Sequence, residues 1–311
     1  MALSSRLAVF LVVTLVLVGL ILIYSALTLL SPATPAVNKS VSEETYASYR
    51  AQAPLDFYDA DNDPYPSSIF PKRGGSDDNS DDDFLLGLVA YFPFDEASGS
   101  NIFEDEENGY EARCSSSTCP ESGVEGVSNN AIRFDGVDDI VLLENNNALR
   151  FSDSFSVSFW FKGSSPSRRQ FLVGTWDGTP NTLGWQAGVV RGGICEGMDF
   201  YVSEDGTSGN NQHRAYRRTC DNYYMDNRWH HYVGVFEPNN RLELYIDGDL
   251  VGTTVGNVSA LDGVFAGVSP IRIGSGFGDD GEEAHFTGLF DELYLFDRAL
   301  SNEDIRALLE R

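Results

Sequence analysis

The stretch FDGVDDIVLL, residues 134–143, sets Asp135, Asp138 and Asp139 close enough to hold a cation or to shape a turn. The Asp-Gly pair favours the turn. Glycine takes a positive φ without steric cost, and aspartates bond nearby backbone N–H groups. The expectation is a hairpin leading into a strand at 140–143. A second acidic run, DADND (59–63), opens like a calcium loop, but Pro64 stands where the glycine belongs and Phe70 where the closing glutamate belongs. It reads as a solvated spacer. The paired His230 and His231 would suit proton transfer only if they converged. On a strand His231 faces with Trp229, Val233 and Val235, while His230 faces with Tyr232 and Phe236, so this reads as packing. GFGDDG (276–281) satisfies a phosphate-loop pattern, yet Glu282 and Glu283 follow it and no helix does.

The elements that must position these residues are strands. From Phe84 onward, runs rich in β-branched and aromatic residues alternate with Gly, Asn and Asp clusters. They are 88–94, 131–134, 140–143, 154–161, 228–236, 241–247, 270–274 and 289–296. EPNNR (237–241) and IDGDLVG (246–252) are tight turns between them. One helix is expected at the end, capped by Ser301 with Asp304 closing a capping box, and with Ile305, Leu308 and Leu309 as its apolar face. This is an all-β sandwich in a single domain, 84–311.

The rest of the chain speaks to location. Residues 7–30 are uncharged and apolar, long enough for a ~30 Å hydrocarbon core and longer than the about 7–15 residues of a secretory signal. Arg6 precedes them and acids accumulate after Lys39, so the positive-inside rule leaves 1–6 in the cytoplasm and the rest outside. Residues 31–83, ending in GGSDDNSDDD, form an acidic linker that cannot bury enough apolar surface to fold. A formal net charge of −26 argues against nucleic acid. With lysine at positions 39, 72 and 162 alone, it also fits a protein working at high salt. Four cysteines outside the cytoplasm allow three disulfide connectivities. The chain-local one, Cys114–Cys119 and Cys195–Cys220, staples one loop per pair and is expected. Asn38 and Asn257 begin glycosylation sequons.

GLVAYFPFDE, AIRFDGVDDIV, FSVSFWFKG, RWHHYVGVF with RLELYIDGDLVG, and FTGLFDELYLFDRALSNEDI follow in the order and spacing of laminin G-like domains. Residues 84–311 therefore resemble the jelly rolls of the concanavalin A-like lectin/glucanase superfamily. The resemblance implies a two-sheet antiparallel jelly-roll sandwich, and binding more often than catalysis. It gives the Trp-His-His run no chemistry. Retaining glucanases of the superfamily carry a Glu-x-Asp-x-x-Glu run that is missing here. EDEE (104–107) is contiguous and would scatter its carboxylates over both strand faces.

Two site expectations follow. Asp291 shares a strand face with Leu289, Leu293 and Leu295, so its carboxylate points toward the core and needs a cation or N–H donors. If the last strand runs antiparallel to LVAYFPFDE, Asp291 approaches Asp95 and Glu96. Many relatives hold a structural calcium at the corresponding place, which implies Asp95, Glu96, Asp105 and Asp291 as ligands. The ligand-binding candidates are Trp160, on the outer face of its strand, and a cationic, disulfide-stapled loop with Arg214, Arg217 and Arg218 near Tyr223 and Tyr224. The protein so described is a membrane-anchored cell-surface binding or adhesion protein for glycan. The alternative is a structural component docking a neighbouring protein, and a glycan-cleaving enzyme comes third.

Overall fold

Alternating apolar and polar side chains fold residues 84–311 into two facing sheets. The computed structural model describes residues 83–311 apart from 145–146, 165–167, 191–196, 208–213, 221–223 and 279. The predicted span 7–30, the run 59–63, Asn38, and all of the linker but its last residue lie outside the described residues. Among the described residues no helix is long and apolar enough to cross a membrane.

The front sheet holds β1 (Leu88–Phe92), β4 (Glu121–Glu125), β5 (Asn130–Asp135), β7 (Phe155–Gly163), β12 (His230–Glu237), β13 (Arg241–Ile246), β14 (Asp249–Leu250) and β19 (Thr287–Phe296). Its order is β14-β13-β12-β7-β19-β5-β4, with β1 also on β19. The back sheet holds β2 (Ile102–Glu104), β3 (Glu111–Arg113), β6 (Val141–Leu143), β8 (Gln170–Gly174), β9 (Trp185–Val190), β10 (Gly197–Ser203), β11 (Arg214–Arg218), β15 (Thr253–Gly256) and β16 (Ile271–Ile273). Its order is β15-β11-β10-β9-β8-β16-β6-β3-β2. A separate hairpin, β17 (Ser275–Phe277) with β18 (Glu283–His285), and helix α1 (Asn302–Leu309) complete the set.

Between the sheets lies an aromatic core. Phe155, Val157, Phe159 and Phe161 of β7 all face inward, as their alternation requires. Phe159 stacks on Tyr232 at 4.5 Å and on Phe290 at 4.8 Å, and Phe155 meets Trp185 of the back sheet at 5.5 Å. The outer face of the front sheet is covered as well. Val233, Val235, Tyr245, Tyr294 and Phe296 bury there against Leu300 and against Ile305 and Leu308 of α1. The capping box forms as expected, Ser301 accepting from the Asp304 N–H and Asp304 from the Ser301 N–H. That cover leaves the back sheet to present an open face.

Three expectations change. The Asp-Gly turn is real, with Gly136 at φ 79° and the Val137 N–H donating to Asp135 Oδ1 at 2.8 Å. It is no hairpin, however, because β5 pairs with β4 and β19 while β6 pairs with β16 and β3. The turn carries the chain from one sheet to the other, with Asp139 Oδ2 accepting the Asp135 N–H at 2.8 Å. Second, 214–218 is strand β11, not a loop, and it pairs with β10 and β15. Third, a bulge in β19 between Asp291 and Tyr294 reverses the facing of side chains. Phe290 before it and Leu293 and Leu295 after it all enter the core. Asp291 turns aside instead.

The Cys114–Cys119 disulfide is present. Cys220 is disulfide-bonded too, and its expected partner Cys195 lies outside the described residues.

Candidate functional site

The strand alternation that sends Met198, Phe200, Val202, Trp185, Ala187 and Val189 into the core sends their neighbours to the outer face of the back sheet. There Asp199, Tyr201, Gln186, Tyr216, Arg214 and Arg218 line a cleft of about 360 Å³. A bulge in β8 between Phe171 and Val173 puts both Leu172 and Val173 in the core and leaves Phe171 for the cleft wall. Trp176, Phe277 and Arg169 close the other side. Gly188 keeps the floor low. A Cβ there would come within 2.9 Å of the Phe171 ring and 3.2 Å of Asp199 Oδ1.

Cross-strand register builds the cationic wall. Tyr201 pairs with Tyr216, Asp199 with Arg218, and Ser203 with Arg214. The two tyrosine rings stack at 4.6 Å and 16°. Arg218 lies 4.6 Å from the Tyr216 centroid and Arg214 5.3 Å from that of Tyr201, so each guanidinium flanks the stack. Arg218 Nη2 also donates to Asp199 Oδ2 at 2.8 Å and to Tyr201 Oη at 3.1 Å. Burial works against the Arg218 charge, but Asp199 outweighs it and holds the pKa above the usual arginine value. Gln186 is 5% exposed; its Nε2 donates to the Phe277 carbonyl at 3.2 Å, while its Oε1 has no partner among the described residues. A buried acceptor left so is costly unless a ligand or water meets it.

The structure divides the predicted binding residues. Arg214 and Arg218 line the cleft. Arg217, one residue out of phase, donates to the Val251 carbonyl at 2.6 Å and to Thr254 Oγ1 at 3.2 Å. Tyr224 packs against the core edge, and Tyr223 lies outside the described residues. Trp160 is on the outer face, as read, but of the front sheet, where its ring sits 5.1 Å from that of His231. The cleft aromatics escaped the sequence reading. Their signal was the alternation of GMDFYVS (197–203), whose outward Asp199 and Tyr201 match the outward residues of RAYRR (214–218).

The predicted calcium ligands meet N–H groups. Asp291 is fully buried, its Oδ2 accepting from Val127 N–H at 2.8 Å and Ser128 N–H at 3.4 Å, its Oδ1 from Glu292 N–H at 2.9 Å. Asp95 grips the same loop through the Asn130 N–H (2.8 Å) and the Asn129 side chain (3.0 Å). Asp105 accepts from the N–H groups of Tyr91, Glu107 and Asn108. Glu96 Oε1 accepts from Glu104 N–H at 2.8 Å; Oε2 has no partner among the described residues, and burial raises the Glu96 pKa. Among the described residues the trio whose oxygens all lie within 4.8 Å of one another is Asp135, Asp138 and Asp139, at the turn between sheets. Asn257 is exposed, its Oδ1 accepting from Ser259 Oγ. His230 bonds Asp247 and Asp226, and buried His231 sits 2.8 Å from Ser158 Oγ; neither lines the back-sheet cleft.

Two antiparallel sheets around an aromatic core, one outer face capped and the other cleft, define a β-sandwich of the lectin-like class. The chain belongs to the concanavalin A-like lectin/glucanases superfamily: residues 135–306, more than half of it, match that family's laminin G-like model. No curated protein matches its sequence. Among solved structures it resembles the binding domain of Paraclostridial Mosquitocidal Protein 1, with a TM-score of 0.54 and 17% identity over 73% of this chain and 52% of that one. It also resembles the botulinum neurotoxin serotype D ligand binding domain in complex with N-acetylneuraminic acid (0.52, 17%, 75% and 52%). The binding domain of botulinum neurotoxin DC in complex with rat synaptotagmin II is a third (0.51, 14%, 73% and 52%). At these identities the likeness is one of fold, and this chain spans about half the length of those structures.

Proposed function

We propose that the chain is a non-catalytic glycan-binding protein of the cell surface, anchored by residues 7–30, with the back-sheet cleft as its binding site. The observation that carries this is the cleft itself: a stacked tyrosine pair and further aromatics beside polar groups, in a volume suited to a small ligand. Sugars present apolar C–H faces to aromatic rings and hydroxyls to amides and carboxylates, and both kinds of partner line this cleft. Hydrolysis of a glycosidic bond uses two carboxylates flanking it, and among the described residues the cleft lining offers one, Asp199, already engaged by Arg218. A second reading, docking of a neighbouring protein, draws on the botulinum neurotoxin DC binding domain, which resembles this chain over about half of its own length and forms a complex with rat synaptotagmin II.

A glycan array probed with the full chain tests the proposal. Saturable binding that is lost in Tyr216→Ala and kept in Trp160→Ala supports it. Loss in Trp160→Ala alone moves the site to the front sheet. A blank with folded protein makes protein docking the leading reading.

A further inference from the structure

Within this proposed site, the chemistry of the cleft narrows the ligand, and the inference rests on the glycan reading. A formal charge of −26 makes the surroundings repel anions, yet among the described residues the cleft gathers Arg169, Arg214 and Arg218 with one lining carboxylate, Asp199. The cations are not loosely arranged. Arg214 and Arg218 flank the Tyr201–Tyr216 stack, and ring faces hold each guanidinium plane in position with little entropy left to lose. Arg169 lies 5.6 Å from the Phe171 centroid and is paired with Asp280 on its outer side, at 2.7 Å. Arg169 and Arg218 also keep a buried Nε without a partner among the described residues. At the floor Gln186 Oε1 is a buried acceptor wanting a donor. A ligand complementary to this set carries an anionic group toward the guanidinium cluster and a hydroxyl toward Gln186.

We propose that the cleft takes an acidic sugar: a hydroxyl-rich ring bearing a carboxylate or a sulfate, its anion against Arg214 and Arg218 and a hydroxyl on Gln186. Guanidinium forks bond either anion in the same bidentate manner, so the shared chemistry is the anionic ring and the two sources separate by experiment.

The test is calorimetric titration of the full chain, in mild nonionic detergent and low salt, with three oligosaccharides of equal length. They are a uronate oligomer, its fully methyl-esterified neutral form, and a sulfated neutral oligomer. The expected result is saturable binding of the uronate or the sulfated probe, with the neutral form at least about tenfold weaker, the loss of one charge-assisted hydrogen bond. Arg214→Gln should cost the acidic probe a similar factor. Arg217→Gln, which removes the same charge from a side chain turned out of the cleft, should leave affinity within about twofold. Preference for the carboxylate or the sulfate then names the source. Equal loss in Arg214→Gln and Arg217→Gln would reduce the effect to general attraction and overturn the proposal. So would equal or tighter binding of the neutral oligomer, although the glycan reading would survive it. If none of the three binds while the array shows neutral glycans held at Tyr216, the acidic-sugar proposal alone fails; if the array is blank too, both fail. Gln186→Leu, which keeps the floor filled, should weaken the winning probe without altering its charge dependence.

Discussion

At the scale of single residues, Asp291 shows how a buried carboxylate is met by backbone N–H groups. The sequence identifies it as buried and in need of partners, and places Asp95 near it. The bulge that turns it onto the 126–130 loop leaves no mark in the periodicity, because Leu289, Leu293 and Leu295 still alternate. Burial pushes the Asp291 pKa up to about 8, with the neighbouring Glu292 charge adding to this and the Val127 and Ser128 N–H groups opposing it. The unfolded chain titrates near ~3.9. The folded state therefore binds the proton more tightly, and the contribution of Asp291 is fully present below about pH 4 and lost as pH rises toward 8. The thermal midpoint of the native chain should fall over that window relative to Asp291→Asn, which has no proton to lose. Midpoint curves that run parallel from pH 4 to 8 would mean that the N–H donors outweigh burial and keep the carboxylate ionised.

At the scale of elements, legibility followed the unbroken apolar series. Strands with continuous inward aromatic and aliphatic residues, such as 154–161 with Phe155, Val157, Phe159 and Phe161, stand out, and so do 289–296 and the capped helix. β8 to β11 do not, because glycine interrupts β9, Asp199 stands inside β10, and arginine and tyrosine occupy the outward positions of β11. Those same outward polar groups make the cleft, so the feature that hid the strands is the one that makes them a site. The front sheet has the opposite arrangement, an apolar outer face that α1 must cover. Ser301→Ala removes one cap bond and should cost about 1 kcal/mol. Asp304→Ala should cost more, because Asp304 also accepts from Arg298 at 2.7 and 3.0 Å and is held below the usual carboxylate pKa: burial opposes ionisation, but Arg298 and the Ser301 N–H outweigh it. Urea unfolding at constant m-value reads the order of the two variants. Equal losses would show that the ion pair adds nothing to the cap.

At the scale of the whole molecule, charge acts in two senses that salt can separate. The excess of 47 acidic over 21 basic residues makes the folded chain repel itself, and compaction raises that cost. Screening relieves it. The Debye length shrinks from about 10 Å at 0.1 M to about 3 Å at 1 M salt, so relief by KCl should be largely complete near 1 M. The thermal midpoint is expected to climb by several degrees over that range and then flatten. A rise that continues linearly past 1 M would instead mark exclusion of the solute from apolar surface, an effect that sucrose would reproduce without any ions. The cleft responds to the same salt in the other direction, because there the attraction is between an anion and arginines that are already desolvated in part. Stability and acidic-sugar affinity should therefore move oppositely with KCl. The affinity should fall less steeply than for an exposed ion pair, since the Tyr201–Tyr216 stack and the cleft walls keep mobile ions from part of each guanidinium.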